Sequence, residues 1–247
     1  MKELWRAILL TAIAGGGVSG LWPAGMLPAE AGDPGTDELN RARYFHRMMD
    51  AENALIHFNK AAAAHADDPQ ILYERGINYK DLDRFDLAVE DISKAIRLNP
   101  KKIEYYEGRA RIYDMTGKLK EAIADYNSVL QFHPADWSCW NHRGLCYRRL
   151  KEYKLAAHDF QKALDTGAHG NQKQKLMYYV AEMLMAANDT SAAFNQFNKV
   201  IAAYPDLSGA YWGRAKIYDK LGKTDLAEKD RQKARKIDEE IDPLIKL

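Results

Sequence analysis

Cysteine is scarce in this chain, with two residues among 247, Cys139 and Cys146. Seven positions correspond to roughly 10 Å along a helix at a rise of about 1.5 Å per residue, which is too far for a disulfide bridge. The sequence therefore does not encode a small scaffold stapled by disulfides.

An excess of charge of one sign is also missing. The chain has 36 lysine and arginine residues against 35 aspartate and glutamate residues, which gives a formal net charge of +1. Nucleic-acid binding requires a basic stripe that neutralises phosphates. We therefore expect no nucleic-acid partner.

Catalytic signatures are absent as well. The sequence has no nucleophile elbow, phosphate-binding loop, zinc-protease helix or paired-carboxylate motif. Its glycine-rich stretch, AGGGVSG at residues 14–20, lacks the lysine of a phosphate-binding loop. We predict that the protein is not an enzyme and needs no cofactor.

One long uncharged run, residues 7–29, follows two basic residues near the start of the chain. It ends in a small-x-small cleavage pattern at residues 29–31, so residues 1–31 are predicted to be a signal peptide. The alternative is an uncleaved membrane anchor, because about 20 apolar residues can span a bilayer; several glycines and Pro23 disfavour a continuous helix there. We expect an extracytoplasmic location, periplasmic or secreted in the first case and membrane-anchored in the second.

The dominant pattern in the rest of the chain is a repeat. Successive intervals of 34, 34, 34, 37 and 34 residues separate six alanines, which are Ala54, Ala88, Ala122, Ala156, Ala193 and Ala227. If units are counted from residues 35, 69, 103, 137, 174 and 208, the eighth residue is always Ala or Gly, and the eleventh is aromatic in five units. A fixed period of this length is typical of an array in which each unit contacts its neighbours.

Each unit contains two stretches with apolar residues at helical spacing. Glycine in the breaks at residues 116–118 and 221–223 suits a helix end. Pro100, Pro134 and Pro205 suit the boundary between one unit and the next. Each unit is therefore predicted to form helix, tight turn, helix, and the fold class is all-α.

The segments YERGINYKDLDRFDLAVEDISKAIRLNP and YYEGRARIYDMTGKLKEAIADYNSVLQFHP carry the slot pattern of the tetratricopeptide repeat, which this chain resembles. The resemblance implies an α-solenoid of stacked helix-turn-helix repeats, forming a right-handed superhelical array over residues 35–241. The implied repeats are 35–68, 69–102, 103–136, 137–170, 174–207 and 208–241, with an insertion at 171–173 and a tail at 242–247.

Arginine at slot 7 and aspartate at slot 23 of a unit occur together in four units, where slot n is the nth residue of the unit. The fifth unit has lost both and carries Val180 and Gln196 instead. Because joint loss indicates contact, we predict structural ion pairs between the two helices: Arg75–Asp91, Arg109–Asp125, Arg143–Asp159 and Arg214–Asp230.

Cys139, His142 and Cys146 project from one side of a predicted helix and could hold a soft metal ion. A structural zinc site takes four ligands, however, and the fourth would have to come from elsewhere. We therefore predict buried thiols at an interface between units and no metal site.

In tetratricopeptide repeat proteins the first helices line a concave groove, and slots 2, 5, 9, 12 and 13 face it. The resemblance thus implies a protein or peptide partner, and the predicted function is an extracytoplasmic scaffold or adaptor. Arginine and aromatic side chains in these slots agree with that function, because they anchor protein interfaces. The residues carried over are Arg43, His46, Arg47, Tyr73, Ile77, Lys80, Glu107, Arg111, Asp114, Asn141, Leu145, Arg148, Arg149, Lys175, Tyr178, Glu182, Met185, Trp212, Lys216, Asp219 and Lys220.

The junction between the fourth and fifth repeats is the most distinctive part of this surface. Arg148 and Arg149 precede a helix with Met177, Met183 and Met185. We hypothesise that an acidic residue beside an apolar one in the partner docks there, because arginine recognises carboxylates and methionine is adaptable. The alternative is that the fifth repeat is a degenerate spacer and hinge.

A second function stays open at this point, namely a self-associating or membrane-tethered structural subunit of an envelope assembly. Arg231 and Arg235 occupy slots of the last helix that are apolar in earlier repeats. We expect this helix to close the array with a charged face, as a capping helix does.

Overall fold

The computed structural model describes residues 33–241, and within that range all regular structure is helical. The predicted all-α class is confirmed. The helices are α1 (Pro34–Arg47), α2 (Ala51–Ala64), α3 (Pro69–Asp81), α4 (Phe85–Leu98), α5 (Ile103–Met115), α6 (Leu119–Phe132), α7 (Trp137–Arg149), α8 (Tyr153–Asp165), α9 (Gly170–Ala186), α10 (Thr190–Ala203), α11 (Ser208–Lys220) and α12 (Thr224–Ile241). The predicted signal peptide, residues 1–31, and the tail, residues 242–247, lie outside the described residues.

The helices pair into six hairpins, α1 with α2 through α11 with α12, and each second helix packs on the first helix of the next hairpin. The array is thus an α-solenoid whose core is a series of interfaces between neighbouring helices. The six periodic alanines mark these interfaces, because each is fully buried where the helices of a hairpin approach. Among the helices of residues 33–241, none has both the length and the hydropathy needed to cross a bilayer.

The four predicted ion pairs are confirmed. In each, the arginine at slot 7 donates two hydrogen bonds of 2.6–2.8 Å to the aspartate at slot 23. The remaining terminal nitrogen donates to a polar residue at slot 25 of the preceding repeat, which is Asn59, Ser93, Asn127 or Asn198. One guanidinium group therefore connects three helices and two repeats.

The turn inside every hairpin contains one residue in the left-handed backbone region, always at slot 15. Its φ lies between 57° and 78°, and the six residues are Met49, Asp83, Gly117, Lys151, Asn188 and Gly222. Glycine adopts this conformation without steric cost, whereas other residues are strained by their Cβ atom. The turn geometry is thus the same in all six repeats, although the sequence shows glycine in two of them.

The insertion before the fifth repeat lengthens a helix. Helix α9 has 17 residues and begins at Gly170, so residues 171–173 form part of its first turn. The α8–α9 interface is the most extensive one between repeats, and Met183 lies in its core, 6% exposed. Low local packing is expected of a hinge, so the packing before the fifth repeat does not favour one there. The interface with the sixth repeat is the least extensive one between repeats, and the interpretation of the fifth repeat as a spacer and hinge stays a prediction.

Both cysteines are buried between the third and fourth repeats, as predicted. Burial raises the pKa of each thiol to about 12, which keeps both protonated and unreactive at neutral pH. Across residues 33–241, no group of three or more His, Cys, Asp and Glu side chains is arranged to hold a metal ion.

The last helix presents charge at the end of the described array. Arg231 bonds to Asp219 on α11, with 2.8 Å between Nη1 and Oδ2. Arg235 is half exposed and pairs with Glu228 on the same helix. Because these contacts lie within the sixth repeat, the capping role of α12 stays a prediction.

Candidate functional site

The first helices of the first three repeats, α1, α3 and α5, border an open cavity of about 570 Å³, called the groove below. Because every hairpin reverses the chain, these three helices run in the same direction side by side. Eight of the residues predicted to face a partner line this groove, namely Arg43, His46, Arg47, Tyr73, Ile77, Lys80, Glu107 and Arg111.

Four further residues line the groove and are absent from the sequence prediction: Phe58, Glu74, Glu104 and Gly108. Glu104 occupies slot 2, and the predicted residues include a slot-2 residue only in the fifth repeat, Lys175. Glu74 and Gly108 share slot 6, which lies next to slots 5 and 9 on a helical surface and could have been included for that reason. Phe58 comes from a second helix, α2, and slot reasoning about first helices could not have found it.

The floor of the groove is apolar. Phe58, which is 1% exposed, forms this floor together with Tyr73 and Ile77. The Tyr73 ring packs on Tyr105, with centroids 4.8 Å apart, and covers the backbone of Gly108. A Cβ atom at Gly108 would lie 2.8 Å from the Tyr73 ring, so glycine is what lets α5 approach α3 this closely.

Two ion pairs occupy the middle of the groove wall. Arg43 donates to both carboxylate oxygens of Glu74, at 2.7 and 2.6 Å, and so links α1 to α3. Arg111 donates to Glu107 at 2.6 Å within α5. The hydrogen bonds to Glu74 raise the pKa of the Arg43 guanidinium. These pairs leave the central wall close to neutral.

The end of the groove near the helix C-termini is basic. Asp81 accepts from Lys80 at 2.9 Å and contacts His46 Nε2 at 2.8 Å. Burial raises the pKa of Asp81, but the hydrogen bonds from Lys80 and His46 outweigh it and hold that pKa below its usual value. Arg47 is exposed and has no ion pair among residues 33–241, so this end keeps a positive charge.

Comparison with known families shows to which family the helical array belongs. Models described as tetratricopeptide repeat match residues 73–136, 137–166, 175–207 and 208–241, well over half of the chain. The chain belongs to the tetratricopeptide repeat family. The hairpin of residues 35–68 precedes these matches and has the same helix-turn-helix form as the other tetratricopeptide repeats.

Relatives of known sequence or structure share parts of the array. Tetratricopeptide repeat protein 13 of Homo sapiens is 29% identical over 171 residues, which is 65% of this chain and 20% of that protein. The chain spans about a fifth of the length of this relative and of human tetratricopeptide repeat protein 16.

Two solved structures have the same fold. MamA from Desulfovibrio magneticus has a TM-score of 0.62 at 22% identity, covering 72% of this chain and 99% of that one. YrrB, described as a TPR protein with an unusual peptide-binding site, has a TM-score of 0.61 at 19% identity, covering 73% of this chain and 91% of that one.

The groove does not extend over the tetratricopeptide repeats after the third. Arg149 donates to the backbone oxygen of Asp114 at 2.8 Å and also to its carboxylate. The Arg148 guanidinium lies over the Tyr179 ring, 4.8 Å from its centroid, and the Lys175 ammonium approaches the same ring at 5.5 Å. The two arginines proposed to receive an acidic residue are therefore already joined to neighbouring repeats.

Other predicted residues in the last three repeats also make internal contacts. The Tyr178 hydroxyl donates to Glu182 at 2.8 Å, and the Trp212 indole donates to Asp238 at 3.3 Å. Asp219 accepts a hydrogen bond from Arg231, as described above. Leu145 and Met185 are partly buried against core clusters, Asn141 is half-buried, and Lys216 and Lys220 are exposed.

One part of the junction hypothesis needs correction. Met183 belongs to the core between α8 and α9 and does not reach the surface that a partner could contact. It occupies slot 10, which faces the preceding repeat, as the fully buried Ile112, Cys146 and Ile217 do at the same slot.

Proposed function

We propose that this protein is an interaction scaffold that holds a segment of a partner protein in the groove of repeats one to three. The groove itself carries the proposal: it is open, has an apolar floor formed by Phe58, Tyr73 and Ile77, and has charged walls. Protein interfaces bind in this way, with apolar anchors at the centre and surrounding charges that fix register and association rate.

Membership of the tetratricopeptide repeat family supports this function, and so does the peptide-binding site named for YrrB, a protein of the same fold. We propose a non-enzymatic role. Glu74 and Glu107 are the carboxylates nearest the centre of the groove, and both are bonded to arginine. Neither carboxylate is therefore free to take part in proton transfer without breaking an ion pair.

Photo-crosslinking in the native cell tests the scaffold function. A photoreactive amino acid replaces Ile77 in the groove and, in a matched control, Ile56, which is 52% exposed on α2 outside it. We expect one partner segment to crosslink through position 77 and to be identified by mass spectrometry, with no such product from position 56. Equal crosslinking at both positions would contradict a groove-directed function.

We also propose an extracytoplasmic location, which rests on the leader pattern in residues 1–31. Cell fractionation with N-terminal sequencing tests it. A mature chain that begins at Gly32 and is released with other exported proteins supports cleavage and export. A full-length chain in the membrane fraction supports the tethered alternative, and a full-length chain in the cytoplasm contradicts both.

A structural, self-associating role is the second candidate. One observation favours it: Tyr44 at slot 10 of α1 is 41% exposed, although slot 10 is buried in every later repeat. Met48 beside it is 63% exposed. A concentration-dependent dimer that Tyr44→Glu dissociates would support this role, and a monomer at all concentrations would exclude it.

A further inference from the structure

The charges that line the groove are sorted along the helix direction. All three carboxylates lie in the N-terminal half of their helices, with Glu104 at slot 2, Glu107 at slot 5 and Glu74 at slot 6. All basic side chains lie in the C-terminal half, at slots 9 to 13. Because α1, α3 and α5 run in the same direction, each sign collects at one end of the groove.

Pairing within the protein cancels the middle of this pattern and leaves its ends. In the centre Arg43 pairs with Glu74, and Arg111 pairs with Glu107. At the basic end Lys80 and His46 share the Asp81 carboxylate, whereas Arg47 has no ion pair among the described residues. At the acidic end Glu104 pairs with Lys102 at 3.3 Å, and this exposed ion pair contributes little.

The groove has the length of a short extended segment. Ten positions from slot 2 to slot 12 correspond to roughly 15 Å along a helix. An extended chain covers that distance in about five residues. An extended segment of about five residues can therefore place its two ends at the two charged ends of the groove.

We propose that the groove selects an extended partner segment in which an apolar residue is flanked by an acidic residue on one side and a basic residue on the other. The apolar side chain packs on Tyr73 and Ile77. The acidic group lies two or three positions away at Arg47 and Lys80, and the basic group lies at Glu104. This inference rests on the proposed function and specifies the chemistry of its partner.

Selection from a random library of twelve-residue peptides displayed on phage tests the inference with the full-length protein. We expect enrichment of segments with an acidic and a basic residue on opposite sides of an aromatic or aliphatic one. The double variant Arg47→Glu, Lys80→Glu should lower the affinity for the selected peptides by at least about tenfold. Selection against this variant should replace the acidic residue with lysine or arginine. Glu104→Lys should abolish the preference for a basic residue.

A matched control makes the same change of charge elsewhere. Lys216 and Lys220 lie at slots 9 and 13 of α11, are exposed and lie outside the groove. Lys216→Glu with Lys220→Glu should leave peptide affinity unchanged within about twofold. If the Arg47 and Lys80 double variant unfolds, Arg47→Glu alone is used, because Arg47 has no ion pair within residues 33–241 to lose.

The outcomes separate this inference from the function on which it rests. The inference is overturned, and the scaffold function is left intact, if the selected peptides bind Ile77→Asp more weakly but show no ordered acidic and basic positions. The same conclusion follows if they show such an order but Arg47→Glu does not alter it. If no selected peptide depends on Ile77, both are overturned.

Discussion

Arg143 donates two hydrogen bonds to the Asp159 carboxylate, at 2.7 and 2.8 Å, and the Asp159 side chain is 1% exposed. Its third donor reaches Asn127 in the preceding repeat at 2.6 Å. This pair is therefore both the link inside the fourth hairpin and a link between hairpins, and its removal should affect the stability of the whole array.

We predict that Arg143→Val lowers the free energy of unfolding by about 3–5 kcal/mol, because the Asp159 charge stays buried without its partner. The double variant Arg143→Val, Asp159→Gln reproduces the residues of the fifth repeat, Val180 and Gln196. It should lose less stability than the single variant because no buried charge remains. Urea unfolding measures both. A double variant as unstable as the single one would contradict this account of the pair.

Tyr126 offers a stabilising substitution. Its hydroxyl is fully buried and has no hydrogen-bond partner among residues 33–241, whereas slot 24 is Phe or Ile in four other repeats. An unpaired buried polar group costs about 1–3 kcal/mol, so Tyr126→Phe should raise the stability by about 1 kcal/mol. Calorimetry should show a higher Tm.

The control for Tyr126 is Tyr105, whose hydroxyl donates to Gln70 at 3.3 Å. Tyr105→Phe loses that bond and should not stabilise the protein. If Tyr126→Phe lowers the Tm, its hydroxyl has a partner that the described contacts do not contain.

The left-handed turn position predicts opposite effects for two glycine substitutions. Lys151 has φ 63°, so Lys151→Gly should relieve backbone strain. The net stabilisation should be at most about 1 kcal/mol, because glycine also increases the conformational entropy of the unfolded chain. Lys162 is exposed inside α8, where Lys162→Gly should cost about 1 kcal/mol. Thermal unfolding measures both, and the same sign for the two variants would refute the role given to slot 15.

The first repeat should carry a distinctive dependence on pH. The hydrogen bond with His57 holds the pKa of Glu38 below its ordinary value. A carboxyl group with a lowered folded-state pKa stabilises the fold above its unfolded-state pKa, and this contribution disappears as the pH falls through the folded-state value. The stability difference between the protein and Glu38→Gln should therefore be largest near pH 6 and shrink as the pH falls below about 4.

Chemical denaturation at several pH values measures that difference. Glu121→Gln is the control, because Glu121 is exposed and has no ion pair among the described residues. A difference for Glu38→Gln that stays constant from pH 6 to pH 3 would contradict the contribution assigned to the His57 contact.

Periodicity was sufficient to predict the hairpins and their internal pairs. The joint loss of charge at Val180 and Gln196 identified the Arg–Asp contacts, since two residues that change together inside one chain indicate a shared interface. The same slots located eight of the residues that line the groove. These features depend on helix geometry within a repeat, which the sequence encodes locally.

Contacts between repeats were harder to predict. Arg149 reaches Asp114 in the preceding repeat, and the distance between them depends on how neighbouring hairpins stack, which slot positions do not specify. Met183 was predicted to lie at the surface, but slot 10 is buried in every repeat after the first. The left-handed turn at Lys151 has no sequence signal, because lysine does not mark that conformation as glycine does.

Chemical-shift mapping by nuclear magnetic resonance tests the central claim, that the groove of repeats one to three holds a partner segment. The isotope-labelled protein is titrated with a peptide that carries the selected or crosslinked sequence. We predict that the largest shifts cluster at Tyr73, Ile77 and Gly108 and are lost in Ile77→Asp. Shifts confined to the second helices or to repeats four to six would contradict the claim.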